Sequence, residues 1–149
     1  MALIMIEKQT VPAKIGEVPV AGNPVEWDGG VGIVEDKQYL IEIIAKMLEI
    51  NEIPVSFIAH DGLDAVQKYL KSCPKPDVVI MNYRLQSTTG VQVMEEMMQQ
   101  SDSDTAFVFM SADVNRREEA LSAGASMFLE KPATMKDLIE SVELAAKNK

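Results

Sequence analysis

From Val31 onward, short and nearly all-apolar runs alternate with stretches in which apolar residues recur every three or four positions. Such alternation is the sign of a parallel sheet covered by helices on both faces. The apolar runs Val31 to Val34, Val55 to Ala59, Val78 to Met81, Ala106 to Met110 and Met127 to Leu129 predict five buried strands. Between them, Leu40, Ile43, Ile44, Met47 and Leu48 fall on one helical stripe. Val66, Tyr69 and Leu70 mark a second helix, and Val91, Met94, Met97 and Met98 a third. Val114 and Leu121 mark a weaker fourth, and Leu138, Ile139, Val142 and Ala146 a fifth. Asp36, Asp61, Asp113 and Thr134, the last with Asp137 three residues on, stand where N-caps belong.

Five βα units with right-handed crossovers assemble into a doubly wound α/β fold, a five-stranded parallel sheet in the flavodoxin-like order 2-1-3-4-5. In such sheets functional groups gather beyond the carboxyl ends of the strands. Residues 1–30 break the pattern, with Pro12, Pro19, Pro24, Gly16, Gly22, Gly29 and Gly30 and no sustained period. The expected division is an N-terminal arm at 1–30 and one domain at 31–149. Short strands at Leu3 to Glu7 or Val18 to Ala21 could pair with each other or with another subunit, and a loose leader is the equal alternative.

Length and charge narrow the function. A chain of 149 residues suits one compact domain. A net charge of −9, from 23 acidic and 14 basic residues, opposes binding to nucleic acid or anionic lipid. Cys73 is the only cysteine, so neither an internal disulfide nor a thiolate metal site is available. No apolar run approaches the roughly 18 residues of a membrane span. The run Ala2 to Ile6 lacks the basic lead-in of a signal sequence. A cytoplasmic protein is expected.

Glu35 and Asp36 follow the first strand, Asn82 the third, Ser111 the fourth, and Lys131-Pro132 the fifth. Two acids, an amide, a hydroxyl and an ammonium should therefore share one pocket. Each has an ordinary reading taken singly: a solvated helix start for the acids, turn formers for Asn82 and Ser111, a surface lysine for Lys131. Together, Val34-Glu35-Asp36, Asp77 through Leu85, Met110-Ser111-Ala112, and Gly124-Ala125 through Phe128-Leu129-Glu130-Lys131-Pro132 resemble the receiver domains of two-component response regulators over about residues 31–147. Two departures stand out: the family has Asp where this chain has Asn82, and often Pro where it has Gln86.

The resemblance implies roles. Glu35 and Asp36 would hold Mg²⁺ with the carbonyl of Arg84 and the residue at position 82, and Lys131 and Ser111 would face phosphoryl oxygens. Phe128 would be the aromatic that turns inward on activation, and Lys131-Pro132 would be a cis peptide. A carboxamide is a very poor nucleophile, so Asn82 should form no stable aspartyl phosphate, and Mg²⁺ should be weakened or absent. The implied partners are a sensor histidine kinase or phosphotransfer protein and a downstream protein target that meets the fourth helix, fifth strand and fifth helix. A homodimer stays open, no enzymatic turnover is expected, and a phosphorylation-independent interaction module is the alternative reading.

Two other classes fit less well. An aspartate-nucleophile phosphatase needs acids where this chain has Asn82 and Arg84. A flavin carrier needs a glycine- and hydroxyl-rich phosphate loop after the first strand, where Glu35-Asp36 would repel phosphate. His60 reads as a loop residue, Met97 and Met98 as core filling, Trp27 as an anchor for the leader or an exposed ring, and Gly90 as a loop turn.

Overall fold

A computed structural model describes residues 24–149 and, within the leader, the backbone of 3–6 and 9–12. Strands β1 (Leu3–Ile6) and β2 (Gln9–Pro12) form an antiparallel pair. The early strand thus pairs with a segment that sequence reading left unassigned, and Val18 to Ala21 lies outside the described residues.

The sheet comprises β3 (Val31–Val34), β4 (Val55–Ala59), β5 (Val78–Asn82), β8 (Ala106–Ser111) and β9 (Met127–Glu130). All pairings within it are parallel and the order is β4-β3-β5-β8-β9, which in order of appearance is 2-1-3-4-5 as expected. A two-residue ladder, β6 (Arg84–Leu85) against β7 (Thr88–Thr89), closes the loop after β5.

Alternate strand residues feed two cores. Val31, Ile33, Val78, Ile80 and Val108 face helices α1 (Gln38–Ile50) and α5 (Met135–Lys147). Val79, Met81, Phe107 and Phe109 face α2 (Gly62–Lys71), α3 (Gly90–Gln100) and α4 (Arg117–Ala123). Each fully buried side chain of this size contributes about 1.5–3 kcal/mol, so the strand positions that hold the site are the rigid ones.

Caps set the helix starts. Asp61 accepts from the Asp64 amide at 2.8 Å and Thr134 from the Asp137 amide at 3.0 Å. Thr89 and Gln92 form a reciprocal capping box at α3, which sequence reading missed. Asp36 is not the cap of α1; that place falls to Lys37, whose side chain makes no capping bond. The α4 expectation also needs correcting, since Val114 lies in a 3₁₀ turn and is 50% exposed, Leu121 is 37% exposed, and α4 buries only Ala120. These two apolar residues, seven apart, point outward, and Ala120 alone supplies the buried position of α4. Met97 is buried and Met98 exposed. Trp27 is half-buried and packs with Val25 on the α1–α5 core.

Candidate functional site

The carboxyl ends of β3, β5, β8 and β9 bring the sequence-flagged residues together. Asp36, Asn82, Arg84, Ser111 and Lys131 line one cleft with Lys37, Ala112 and Asp113. Glu35, 3% exposed, is buried against Asn82 and Lys131.

Asn82 is the hub. Its Nδ2 donates to the carbonyl of Arg84 at 2.7 Å and to Glu35 Oε2 at 3.3 Å. Its Oδ1 accepts from Lys131 Nζ at 3.0 Å, and the same ammonium lies 3.7 Å from Glu35 Oε1. Glu35 Oε2 also accepts from the Lys37 amide at 3.2 Å. Burial pushes the Glu35 carboxyl above the usual carboxylate range and Asp36 adds to this, while the Lys37 amide and the Lys131 ammonium offset it in part. Ser111 Oγ accepts from the Asp113 amide at 3.0 Å, and the Ser111 carbonyl accepts from the Lys131 amide at 2.8 Å. The Lys131-Pro132 peptide is cis, as is Cys73-Pro74.

The donor set fits a magnesium ion poorly as arranged. The two hydrogens of the Asn82 amide point at the Glu35 and Arg84 oxygens, the directions in which those oxygens would otherwise face a cation. Asp36 Oδ1 alone is left buried without a hydrogen-bond partner. Among the described residues no group of three or more His, Cys, Asp or Glu is placed to hold a metal.

Several residues around the site gave no sequence signal. Tyr83, 4% exposed, donates its hydroxyl to Glu119 Oε1 on α4 at 2.6 Å, and Arg116 stands 5.5 Å from its ring. The Glu119 bond and burial together push the Tyr83 phenol above its usual value. Asp113 meets Arg116 at 3.4 Å and Arg84 at 4.0 Å, so two loops flanking the cleft are linked by charge. The Arg84 pair is solvent-facing and contributes little stability, whereas the Arg116 Nε atom is buried. All three arginines of the chain lie beside the cleft's flanks, Arg84 in β6, Arg116 in the 3₁₀ turn and Arg117 at the start of α4. Phe128 sits away from the cleft in the α2–α3–α4 core, 5% exposed, with its carbonyl accepting from Arg117 Nη1 at 3.2 Å. His60 stays outside the cleft and pairs with Gln38 Oε1 at 2.7 Å.

Gly90 proves to be more than a loop turn. It opens α3 directly behind Asn82, and a Cβ there would lie 2.5 Å from the Asn82 carbonyl and 2.6 Å from Met81 Cγ. Gly90→Ala is expected to cost about 1–3 kcal/mol, the usual penalty for overpacking, and to disturb the Asn82 side-chain amide signals. A urea midpoint and an NMR spectrum check it; an unchanged Asn82 environment would contradict the close packing.

Comparison with known proteins agrees with this fold. Residues 31–143 match the response regulator receiver domain family. The chain belongs to that family. The receiver is 28% identical to the chemotaxis protein CheY of Treponema pallidum over 141 residues, covering 93% of this chain and 96% of that protein. It is 30% identical to the transcriptional regulatory protein PdtaR of Mycobacterium tuberculosis, covering 76% of this chain and 54% of that protein. With the putative two-component response regulator ARR21 of Arabidopsis thaliana it shares 31% identity, over 80% of this chain but 19% of that protein. Among solved structures, the receiver domain of NarL from Mycobacterium tuberculosis superposes with a TM-score of 0.72 at 25% identity, over 80% of this chain and 96% of that one. CheY in the CheX-CheY-BeF₃-Mg²⁺ complex of Borrelia burgdorferi shows the same fold at 0.69 and 23% identity, over 75% and 84% of the two chains. Among the described residues of the receiver, no helix is long and apolar enough to cross a membrane.

Proposed function

We propose that this receiver passes its signal through protein contacts, with Asn82 at the phosphate-accepting position and no aspartyl phosphate formed by the unmodified chain. The observation that carries this reading is the carboxamide bridge. Asn82, itself uncharged, ties Glu35, Arg84 and Lys131 together by hydrogen bonds, in the place where the resemblance puts an acid, a cation and a phosphoryl group. An amide nitrogen whose lone pair is delocalised does not attack phosphorus, so the pocket keeps the framework for phosphoryl transfer and lacks the nucleophile. Glu35, Asp36 and the Arg84 carbonyl are the residual cation ligands, and Ser111 and Lys131 the residual oxyanion donors. With one anionic ligand gone, Mg²⁺ binds more weakly than in a pocket of three acids.

The buried Phe128 supports a further part of the reading. The inward position is the one the resemblance associates with the active contact face, here reached with the neutral amide in place. That face presents Val114 and Leu121 from the 3₁₀ turn and α4, and Leu144 from α5, all exposed. The partners are a sensor kinase or phosphotransfer protein upstream and a protein target downstream; turnover of a separate substrate has no nucleophile to carry it. The arm at 1–30 is an addition to a receiver at 31–149.

The test exposes freshly purified protein and its Asn82→Asp form to acetyl phosphate with Mg²⁺ and reads intact mass. Phosphate on the Asp form alone is the expected result. Phosphate on both forms would overturn the reading of the unmodified chain, and phosphate on neither would overturn the assignment of position 82.

A further inference from the structure

The bridge around Asn82 also holds the parts needed to hydrolyse that amide. We propose that Asn82 is converted to aspartate by direct attack of water on its side-chain carbonyl, promoted by Lys131 and Glu35, so that the chain makes its own phosphate acceptor. The inference rests on the pocket reading above and adds an activity to it.

Three features carry the argument. First, the carbonyl oxygen that becomes an oxyanion in the tetrahedral intermediate already accepts from the Lys131 ammonium at 3.0 Å, the geometry of a preorganised oxyanion donor. Second, the nitrogen that must leave is held by Glu35 Oε2 at 3.3 Å and the Arg84 carbonyl at 2.7 Å. Glu35 can therefore take the proton of the attacking water and pass it to that nitrogen. Third, Asn82 lines an open cleft of about 470 Å³, which gives water a route to the carbonyl carbon.

The balance is simple: one water adds, the Cγ–Nδ2 bond breaks, and the products are a carboxylate at position 82 and ammonium. The only co-reactant is water. The usual route to asparagine loss, attack by the following backbone nitrogen to form an imide, is closed here. Asn82 ends strand β5, and the Tyr83 amide is engaged by the Met110 carbonyl at 3.0 Å. Folding therefore blocks the imide and assembles the hydrolytic groups.

The experiment incubates the purified chain at physiological temperature for days and maps peptides for the amide-to-acid mass change and for isoaspartate. Exposed Asn148 serves as the internal control for the imide route. The expected product at position 82 is α-aspartate alone, formed faster in the folded chain than in denaturant. Lys131→Met should slow it about 10²-fold, the usual cost of losing one oxyanion donor. Lys131→Arg, which keeps a donor, should recover part of that loss, which separates chemistry from misfolding. The aged sample should accept phosphate from acetyl phosphate in proportion to its acid fraction. Isoaspartate at position 82, an intact Asn82 while Asn148 reacts, or a rate indifferent to Lys131→Met would overturn the proposal. None of these would touch the reading of the fresh chain, which falls only by the phosphorylation test.

Discussion

Asn82→Asp is expected to lower stability by about 2–3 kcal/mol in metal-free buffer, and Mg²⁺ is expected to restore most of it. The neutral amide donates to Glu35 and to the Arg84 carbonyl, and a carboxylate can donate to neither. Hydrogen bonds to charged groups contribute about 1.5–3 kcal/mol, and a buried acceptor left facing another acceptor costs a similar amount. Bringing a new charge near Glu35 adds repulsion of the order of 4 kcal/mol per pair at about 4 Å with an effective dielectric near 20. The Lys131 ammonium, already 3.0 Å from the Asn82 oxygen, offsets part of it. A divalent ion would supply the missing positive charge, so the variant's melting temperature should rise with Mg²⁺ far more than that of the unmodified chain. Thermal unfolding of both forms with EDTA and with Mg²⁺ reads this out. Equal Mg²⁺ responses would mean that the amide does not stand in for a cation.

The three central strands are short apolar runs buried throughout and the two edge strands are buried in part, so the runs are legible without further detail, and the strand ends deliver Glu35, Asn82, Ser111 and Lys131 to one place. The number of residues between an apolar run and a polar one is enough for that. Asn82 itself closes strand β5 where the apolar pattern stopped a residue earlier, because its backbone continues the ladder beside Met110 while its side chain turns into the cleft. In the α4 region two exposed apolar residues, Val114 and Leu121, mimic a core stripe, while Ala120 is the buried residue of the helix. Tyr83 to Glu119 spans 36 residues and depends on how α4 lies against the loop after β5, which no local pattern encodes. Gly90 looked like a turn former, and its real constraint, the carbonyl of Asn82 behind it, exists only in three dimensions.

Asp77→Ala should be the most destabilising single change at the opposite end of the sheet. Asp77 is 2% exposed at the start of β5, and its Oδ2 accepts from the amides of Asp28, Gly29 and Gly30 at 3.0, 3.0 and 2.9 Å. Its Oδ1 meets Lys149 Nζ at 2.6 Å. Gly30 can present its amide this way because it adopts φ +84°, a conformation that side chains disfavour. One carboxylate thus gathers the chain entering β3 and the end of the helix α5 segment onto the middle strand. Truncating it takes the acceptor from three amides and leaves the Lys149 ammonium with the exposed Asp104 at 3.6 Å, and breaking a buried pair by removing one partner costs about 3–5 kcal/mol. Lys149→Ala should cost less, because the amides keep their acceptor. Burial alone would raise the Asp77 carboxyl, but the Lys149 bond and the glycine amides outweigh it and hold it below the usual range. Burial likewise opposes the Lys149 charge, and the bond and charge of Asp77 outweigh it and lift the ammonium above its usual value. For an acid with a lowered folded value, the contribution is complete above the ordinary carboxylate range, near 3.9, and disappears as pH falls through the folded value. For the raised lysine, it is complete below about 10.4 and disappears as pH rises through the folded value. The difference in urea midpoint between the unmodified chain and Asp77→Ala should therefore stay flat through neutral pH and shrink in acid below the carboxylate range. A gap that widens in acid would show that Asp77 is held protonated and that the amides are satisfied in some other way.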